Sequence, residues 1–368
     1  MQNKIFDGDR HVIEPVSLWK EYTSERTFSK YPIYLKNIPH KELSIPPVLM
    51  IGEHSVLSNW GPDIQVAAAI ENENSIAERL SATCSKDQLL SMNDSGIEQA
   101  LLFPSFAMYI VNHSEIDAQA SLDFAAAYNR WLFDYIGSET DRLHGVGVIS
   151  RHDPKTMVAQ LETIAQFGWR MIKLRPEIIK GRSLGHPDYE TFWKRCEQLG
   201  ITVALHGGTH LAGSTVGTDR FTSRFGLHAC SHPIEIQMAF LSLVESGVTE
   251  RYPSLKFLLL EAGCSWVPYW LWRLDNICYT EFPSLIQDNI KMLPSEYFKR
   301  QFWLTIELGE PSIEDCIKTV GVDNLIYGSD FPHPDHMHLN DINIRNELDY
   351  LTPSEIDKIL YSNYKALI

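Results

Sequence analysis

Leu325-Ile326-Tyr327-Gly328-Ser329-Asp330-Phe331-Pro332-His333-Pro334-Asp335 is the stretch that decides the fold. A short apolar run ends in a carboxylate, and the prolines that follow cannot continue a strand. In a barrel of parallel strands, a carboxylate at a strand end sits at the C-terminal mouth, where such barrels do their chemistry. Near the start of the chain, Lys4-Ile5-Phe6-Asp7-Gly8-Asp9-Arg10-His11 repeats the pattern, a short strand leading into Asp and His. Asp9 and His11 are two residues apart and therefore share one face of a strand. Taken singly, Asp9 and Asp330 read equally as helix N-caps. Taken together, at the first and last strands of a closing barrel, they point to a cage for a divalent metal.

Between these ends, six further apolar runs complete a set of eight. The expected strands are 4–9, 99–104, 143–150, 171–175, 201–206, 256–261, 302–307 and 324–330. Helical patterns alternate with most of them, at 115–136, 153–167, 188–199, 234–246 and 312–320. A terminal helix opens at Thr352-Pro353-Ser354-Glu355, with Thr352 as N-cap and Glu355 at the capping-box position. Strand alternating with helix gives a parallel sheet. The expected fold is α/β, a distorted TIM (β/α)8 barrel forming a single domain over 1–368, with insertions at about 14–95 and 207–231. The Gly-, Ser- and Thr-rich part of the second insertion directly follows a strand end and reads as a loop over the site.

Bulk composition narrows the class. The chain has 368 residues, 44% of them apolar, and a formal net charge of −15. That charge argues against nucleic acid or an anionic membrane as partner. The six cysteines form no C-x-x-C pair and read as reduced thiols. Met1-Gln2-Asn3-Lys4 runs straight into the first strand without the pattern of a signal peptide, and no apolar stretch is long enough to span a bilayer. The expected setting is the cytoplasm and the expected partner a small-molecule substrate, with a homodimer left open.

A further ligand comes from Val203-Ala204-Leu205-His206-Gly207-Gly208. A histidine ending the fifth strand, with glycines behind it that allow close approach, joins Asp9, His11 and Asp330. Two imidazoles and two carboxylates suit Zn²⁺ first, with Fe²⁺ or Mn²⁺ as alternatives, and leave room for a water.

Longer motifs carry a resemblance. Asp7-Gly8-Asp9-Arg10-His11-Val12-Ile13-Glu14-Pro15, His232-Pro233-Ile234-Glu235, Leu260-Glu261-Ala262-Gly263-Cys264-Ser265-Trp266-Val267-Pro268 and the closing Tyr327–Asp335 stretch resemble the amidohydrolase superfamily, in its aminocarboxymuconate-semialdehyde-decarboxylase-like branch. The resemblance covers nearly the whole chain and is weakest over 20–80. It implies a distorted eight-stranded barrel with one or two metal ions held by residues of strands one, five and eight, which here are Asp9, His11, His206 and Asp330. The superfamily includes hydrolases and non-oxidative decarboxylases.

The chain departs from the family pattern in two places. Asp9 stands where many members have His or Glu. Glu261 stands where decarboxylases of the branch carry a histidine, which favours hydrolysis, with Glu261 as general base or second-ion ligand. His232 is the replacement imidazole expected at a helix start. Lys173 lies on the strand where binuclear members carry a carboxylated lysine, and Arg175 is placed to pair with a substrate carboxylate. His210 is a further substrate-binding candidate, weaker like His228, and Glu14 is expected behind the ligands. The resulting expectation is a metal-dependent hydrolase of an amide, ester, lactone or thioester, with Asp330 orienting and deprotonating the water. The alternatives are a metal-dependent non-oxidative decarboxylase and an inactive barrel that only binds. Trp60, Trp266, Tyr269, Trp270 and Trp272 suggest an apolar or aromatic substrate body.

Overall fold

The computed structural model describes residues 4–37, 47–56, 80–208, 215–281, 283–333 and 339–368. Its central feature is a sheet of eight parallel strands. These are β1 (Phe6–Val12), β5 (Gln99–Pro104), β6 (Leu143–Val148), β7 (Met171–Leu174), β8 (Thr202–His206), β9 (Phe257–Leu260), β10 (Phe302–Ile306) and β11 (Leu325–Tyr327), paired in that order. A bridge between Arg10 and Phe331 brings the last strand back to the first, so the barrel is nearly closed. Two backbone bonds make this seam: Asp330 N–H donates to Asp9 O at 2.8 Å, and His11 N–H donates to Phe331 O at 2.7 Å. A small antiparallel sheet of β2 (Ile33–Lys36), β3 (Val48–Ile51) and β4 (His54–Ser55) lies within the first insertion.

Alternation along the strands sorts side chains into two cores. Phe6, Leu101, Phe103, Val146, Met171, Ala204, Leu258, Leu260 and Ile326 fill the barrel interior. The intervening residues, such as Ile172, Leu174, Val203, Leu205, Leu259 and Leu304, pack outward with the surrounding helices. Long helices Ala118–Ile136, Met157–Gln166, Glu190–Leu199 and Pro233–Glu245 supply that outer layer. Their starts follow local chemistry. Asp117 accepts from Ala120 N–H, and Thr352 and Glu355 form the expected capping box. Among the described residues no helix is long and apolar enough to cross a membrane.

The expected strands and helices fall close to the observed ones, with two informative differences. β1 runs on to Val12, so Asp9, expected at the strand's end, and His11, expected just past it, both lie within the strand. Phe6 points into the barrel and Val12 points out, so His11 points in. Residues 6 and 11 can share a face only if one residue is extra. A register shift between Asp7 and Arg10 supplies it, since those residues pair with Ala100 and Leu102. A bulge re-aims side chains in this way. At the other end, β11 stops at Tyr327, three residues before Asp330. The chain turns there because Asp330 adopts a left-handed backbone, φ 55°.

Gly328 sits where β11 passes β1. A Cβ on it would lie 2.7 Å from Asp9 Cβ and 3.0 Å from Thr305 Cγ2. Only glycine leaves Asp9 its place. We predict that Gly328→Ala destabilises the protein by roughly 1–3 kcal/mol through overpacking and also lowers its metal content. Thermal unfolding and elemental analysis check both effects, and unchanged values would show that the seam tolerates the methyl.

Candidate metal centre and active-site cavity

Four side chains from three strand ends meet at the barrel mouth. Asp9, His11 and His206 are all buried, and their ligand atoms lie within 4.8 Å of one another. His11 Nε2 is 3.2 Å from His206 Nε2, 3.3 Å from Asp9 Oδ1 and 3.2 Å from Asp330 Oδ1. His206 Nε2 is 3.4 Å from Asp9 Oδ1. Each imidazole is oriented from behind. His11 Nδ1 donates to Pro104 O at 3.0 Å and His206 Nδ1 to Gly207 O at 3.1 Å, so both rings turn Nε2 toward the cluster. This is the arrangement that presents a ring nitrogen's lone pair to a metal. Asp330 Oδ2 is buried without a hydrogen-bond donor, and Asp9 Oδ1 has only the two imidazole contacts at 3.3 and 3.4 Å. Two nitrogens facing each other and two buried, poorly satisfied carboxylate oxygens are a donor set that fits a divalent cation.

The electrostatics agree. Burial works against the His11 imidazolium, yet hydrogen bonds to Asp330 and Asp9 outweigh it and push its pKa up to about 10. Burial holds His206 below its ordinary value against the pull of Asp9. Burial would raise both carboxylates, but the imidazoles facing them, chiefly His206 for Asp9 and His333 for Asp330, hold both below the usual range. The cluster therefore retains one positive charge, a proton on His11, at the position a metal ion would fill.

His333 was not among the expected ligands. Its Nδ1 lies 2.8 Å from Asp330 Oδ1 and its Nε2 2.8 Å from Ser105 Oγ. It also forms a second group of potential ligands with His11 and Asp330. The signal was its place three residues after Asp330 in the closing stretch. Glu14 is where the sequence suggested, behind the ligands, and its carboxylate accepts the backbone N–H groups of Ser105, Phe106 and Ala107. It thereby holds the turn after β5, whose Pro104 O orients His11.

A cavity of about 440 Å³ opens beside the cluster, lined among others by Asp9, His228, His232, Glu261, Glu307 and Asp330. Glu261 follows β9 in a left-handed conformation, φ 52°, and the three described non-glycine residues with positive φ are Lys180, Glu261 and Asp330. Strained backbone at two of the cavity's carboxylates is what functional sites tend to store. Glu261 Oε2 lies 2.8 Å from His232 Nδ1 and 3.6 Å from His206 Nδ1. His232 stands at the junction of helices Arg224–Ser231 and Pro233–Glu245. His228, on the first of these, packs edge-to-face with His232 at 5.1 Å between ring centroids. The Gly- and Ser-rich insertion hides this helix, so the sequence rated His228 too low.

Other candidates do not reach the cavity. Arg175 is fully buried, with Nε 2.5 Å from Glu177 Oε1 and Nη2 donating to Gly208 O at 3.2 Å. It braces the wall and is not on the cavity surface, because Glu177 already satisfies it. Lys173 points into the barrel interior in the same alternation as Met171, beneath the ligands, with Nζ buried and without a hydrogen-bond partner. Burial, with Arg175 nearby, holds its amine well below the usual lysine pKa. Glu310 caps the turn at Cys264 and Ser265, leaving Glu307 as the cavity's acidic residue from β10. Trp266 and Trp270 pack on the core, while Tyr269 and Trp272 are exposed, so none of these aromatics lines the cavity. His210 and Trp60 lie outside the described residues.

A family model described as Amidohydrolase matches residues 84–367. The chain belongs to the amidohydrolase family. This member is 24% identical over 218 residues to 2-amino-3-carboxymuconate-6-semialdehyde decarboxylase of Dictyostelium discoideum, covering 59% of this chain and 58% of the relative. The match thus spans less than two thirds of that protein's length. An amidohydrolase of Mycobacterium avium subsp. paratuberculosis superposes with a TM-score of 0.78 at 18% identity, over 100% of this chain and 99% of its own. The 5-carboxyvanillate decarboxylase of Novosphingobium aromaticivorans, solved with bound manganese and a nitrobenzoic acid, gives 0.73 at 16% identity, over 99% and 96%. At these identities the structural matches speak for the barrel alone.

Because the His11 pKa is raised from 6.5 to about 10, the ion-free protein carries this stabilisation in full below the lower value and loses it as pH rises through the upper one. Metal must displace that proton, so affinity should rise with pH over the same window. Melting temperatures of chelator-treated protein and Mn²⁺ titrations across that range measure both, and two flat profiles would contradict the shared-proton arrangement. Independently, His206→Ala should lose bound metal, and wild-type metal content in that variant would remove His206 from the ligand set.

Proposed function

We propose that this amidohydrolase-family protein is a metal-dependent non-oxidative decarboxylase, a carbon–carbon lyase acting on a small organic acid, with Asp9, His11, His206 and Asp330 holding one divalent ion. The expectation of hydrolysis rested on Glu261 acting by itself as a base or as ligand to a second ion. The observation that carries the present reading is the 2.8 Å contact between Glu261 Oε2 and His232 Nδ1. Through it, an imidazole is fixed over the cavity from the helix side, at the strand end where a bare carboxylate had been expected. The alternative reading of the sequence, with an imidazole handling the proton, thereby fits better than the first. Two of the relatives described above are named as decarboxylases, and one was solved with manganese, which supports Mn²⁺ beside Zn²⁺ as the ion.

A divalent ion at this position would supply the positive charge that draws in a substrate carboxylate and an oxygen beside it. The rest falls to the chain's own groups. Asp9 and Asp330 offset the charge of that ion, and the Pro104 and Gly207 carbonyls keep both imidazoles aimed. Glu261 Oε2, 2.8 Å from Nδ1, pairs with His232 when the ring is protonated, and the Nε2–H of that imidazolium is the proton that the reaction consumes. The carbon–carboxylate bond breaks, CO₂ leaves, and the electron pair left on carbon takes the His232 proton. One substrate carboxylate and one proton become CO₂ and a new C–H bond.

The test is a set of ortho-hydroxylated aromatic and enoic acids offered to the Mn²⁺-loaded protein. We expect CO₂ release, with deuterium from D₂O at the vacated carbon and no ¹⁸O from solvent in the organic product. His232→Asn should lower kcat by about 10²–10⁴-fold, the range for loss of a positioned proton donor, with metal content unchanged. Solvent ¹⁸O entering an acid product, without CO₂, would restore the hydrolase.

A further inference from the structure

We propose that Thr305 is a substrate-binding residue, its hydroxyl donating a hydrogen bond to the carboxylate of the organic acid that the cavity takes. The inference rests on the decarboxylase reading and names the side chain that recognises the reacting group.

Thr305 is placed by its strand. In β10, Leu304 packs outward, so Thr305 turns into the barrel, and it pairs with Ile326 of β11, which also faces inward. A hydroxyl therefore stands at a level that the neighbouring strand fills with an aliphatic side chain. Thr305 is 4% exposed and lines the cavity. Its Oγ accepts Glu261 N–H at 3.3 Å, and among the described residues this is the side chain's one hydrogen bond, so the hydroxyl hydrogen has no acceptor in the protein. A buried donor left unused is a cost that valine, with nearly the same outline, would avoid. The other lining hydroxyls are already engaged. Ser329 Oγ–H goes to Asp7 Oδ2 at 2.6 Å, and the Tyr327 ring packs in the outer core.

The surroundings of Thr305 say which acceptor it meets. Its methyl faces Gly328, across which lies the metal-ligand candidate Asp9: a Cβ on Gly328 would be 3.0 Å from Thr305 Cγ2 and 2.7 Å from Asp9 Cβ. Its hydroxyl faces the backbone of Glu261, whose Oε2 pairs with His232. Thr305 thus stands between a side chain that would hold the ion and the pair that would supply the proton. On an organic acid, the group that must come near both is the carboxylate, with the carbon that carries it. A carboxylate is also the strongest acceptor such a molecule offers, and a hydrogen bond to it is roughly twice as strong as one to a neutral oxygen. The stiff χ1 of a β-branched residue keeps the hydroxyl in place before substrate arrives.

Isothermal titration of the Mn²⁺-loaded protein with salicylate and, under argon, with catechol tests this. The two ligands share a phenol and differ in whether a carboxylate or a second phenol stands beside it. We expect Thr305→Val to weaken salicylate by about tenfold and catechol by less than about threefold, and Thr305→Ser to bind salicylate within about threefold of the wild type. Unchanged salicylate affinity in Thr305→Val overturns the contact. So do equal losses for both ligands, or a serine variant as weak as the valine, since the substitution would then act through the Glu261 turn. Salicylate that fails to bind the wild type, or binds without regard to Mn²⁺, brings down the metal site and this inference together. The expected pattern in a protein that releases no CO₂ from any acid offered sinks the decarboxylase reading and leaves Thr305 in its role.

Discussion

The seam between the first and last strands is the constraint on which the site depends. Two backbone hydrogen bonds, from Asp330 N–H to Asp9 O and from His11 N–H to Phe331 O, place residues more than 300 positions apart side by side. A slip of one residue would move a side chain by about 3.3 Å and turn it to the other face. The Asp9, His11 and Asp330 atoms now within reach of one another would no longer meet. Around this seam the chain adds further ties. Asp7 accepts Ser329 N–H at 2.9 Å and Ser329 Oγ–H at 2.6 Å, and Arg10 stacks on the Phe331 ring at 3.9 Å. Ligand placement and barrel closure are thus one structural event.

The second organising principle is that buried charge of one sign requires the other. Asp9 and Asp330 lose water on entering the barrel mouth, and the imidazoles of His11, His206 and His333 do not satisfy every oxygen of the pair. A cation answers that demand, and His11 accepts a proton when nothing larger does. The same logic explains why Arg175 lies in the wall and not on the cavity surface. A fully buried guanidinium needs its partner permanently, and Glu177 fills that role. A side chain engaged in this way becomes part of the wall.

What could be read from the chain in advance follows a physical pattern. Strand positions were legible because β5, β8 and β10 are short apolar runs bounded by turn residues, a local signal. The convergence of the four candidate ligands was legible because each stands at or near a strand end, and fold class alone gathers strand ends at one mouth. The extra residue between Asp7 and Arg10 was not legible, since a bulge depends on how two strands pair and leaves no local mark. The same holds for Glu261 and His232, which lie 29 positions apart and meet only through tertiary packing. His228 was obscured by composition, because the helix that presents it follows a stretch rich in glycine, serine and threonine that reads as loop. Aromatic content misled for a simpler reason. Trp266 and Trp270 are large enough to be wanted by the core, and Tyr269 and Trp272 face outward.

The left-handed backbone at Glu261 and Asp330 has an evolutionary side. A β-branched residue meets a steep conformational penalty at positive φ, whereas Gly, Asn, Asp and His are tolerated more readily. At these two positions mutation therefore draws on a short alphabet, much of it able to bind metal or carry a proton. Diversification at this mouth would exchange one polar chemistry for another more readily than it would erase polarity.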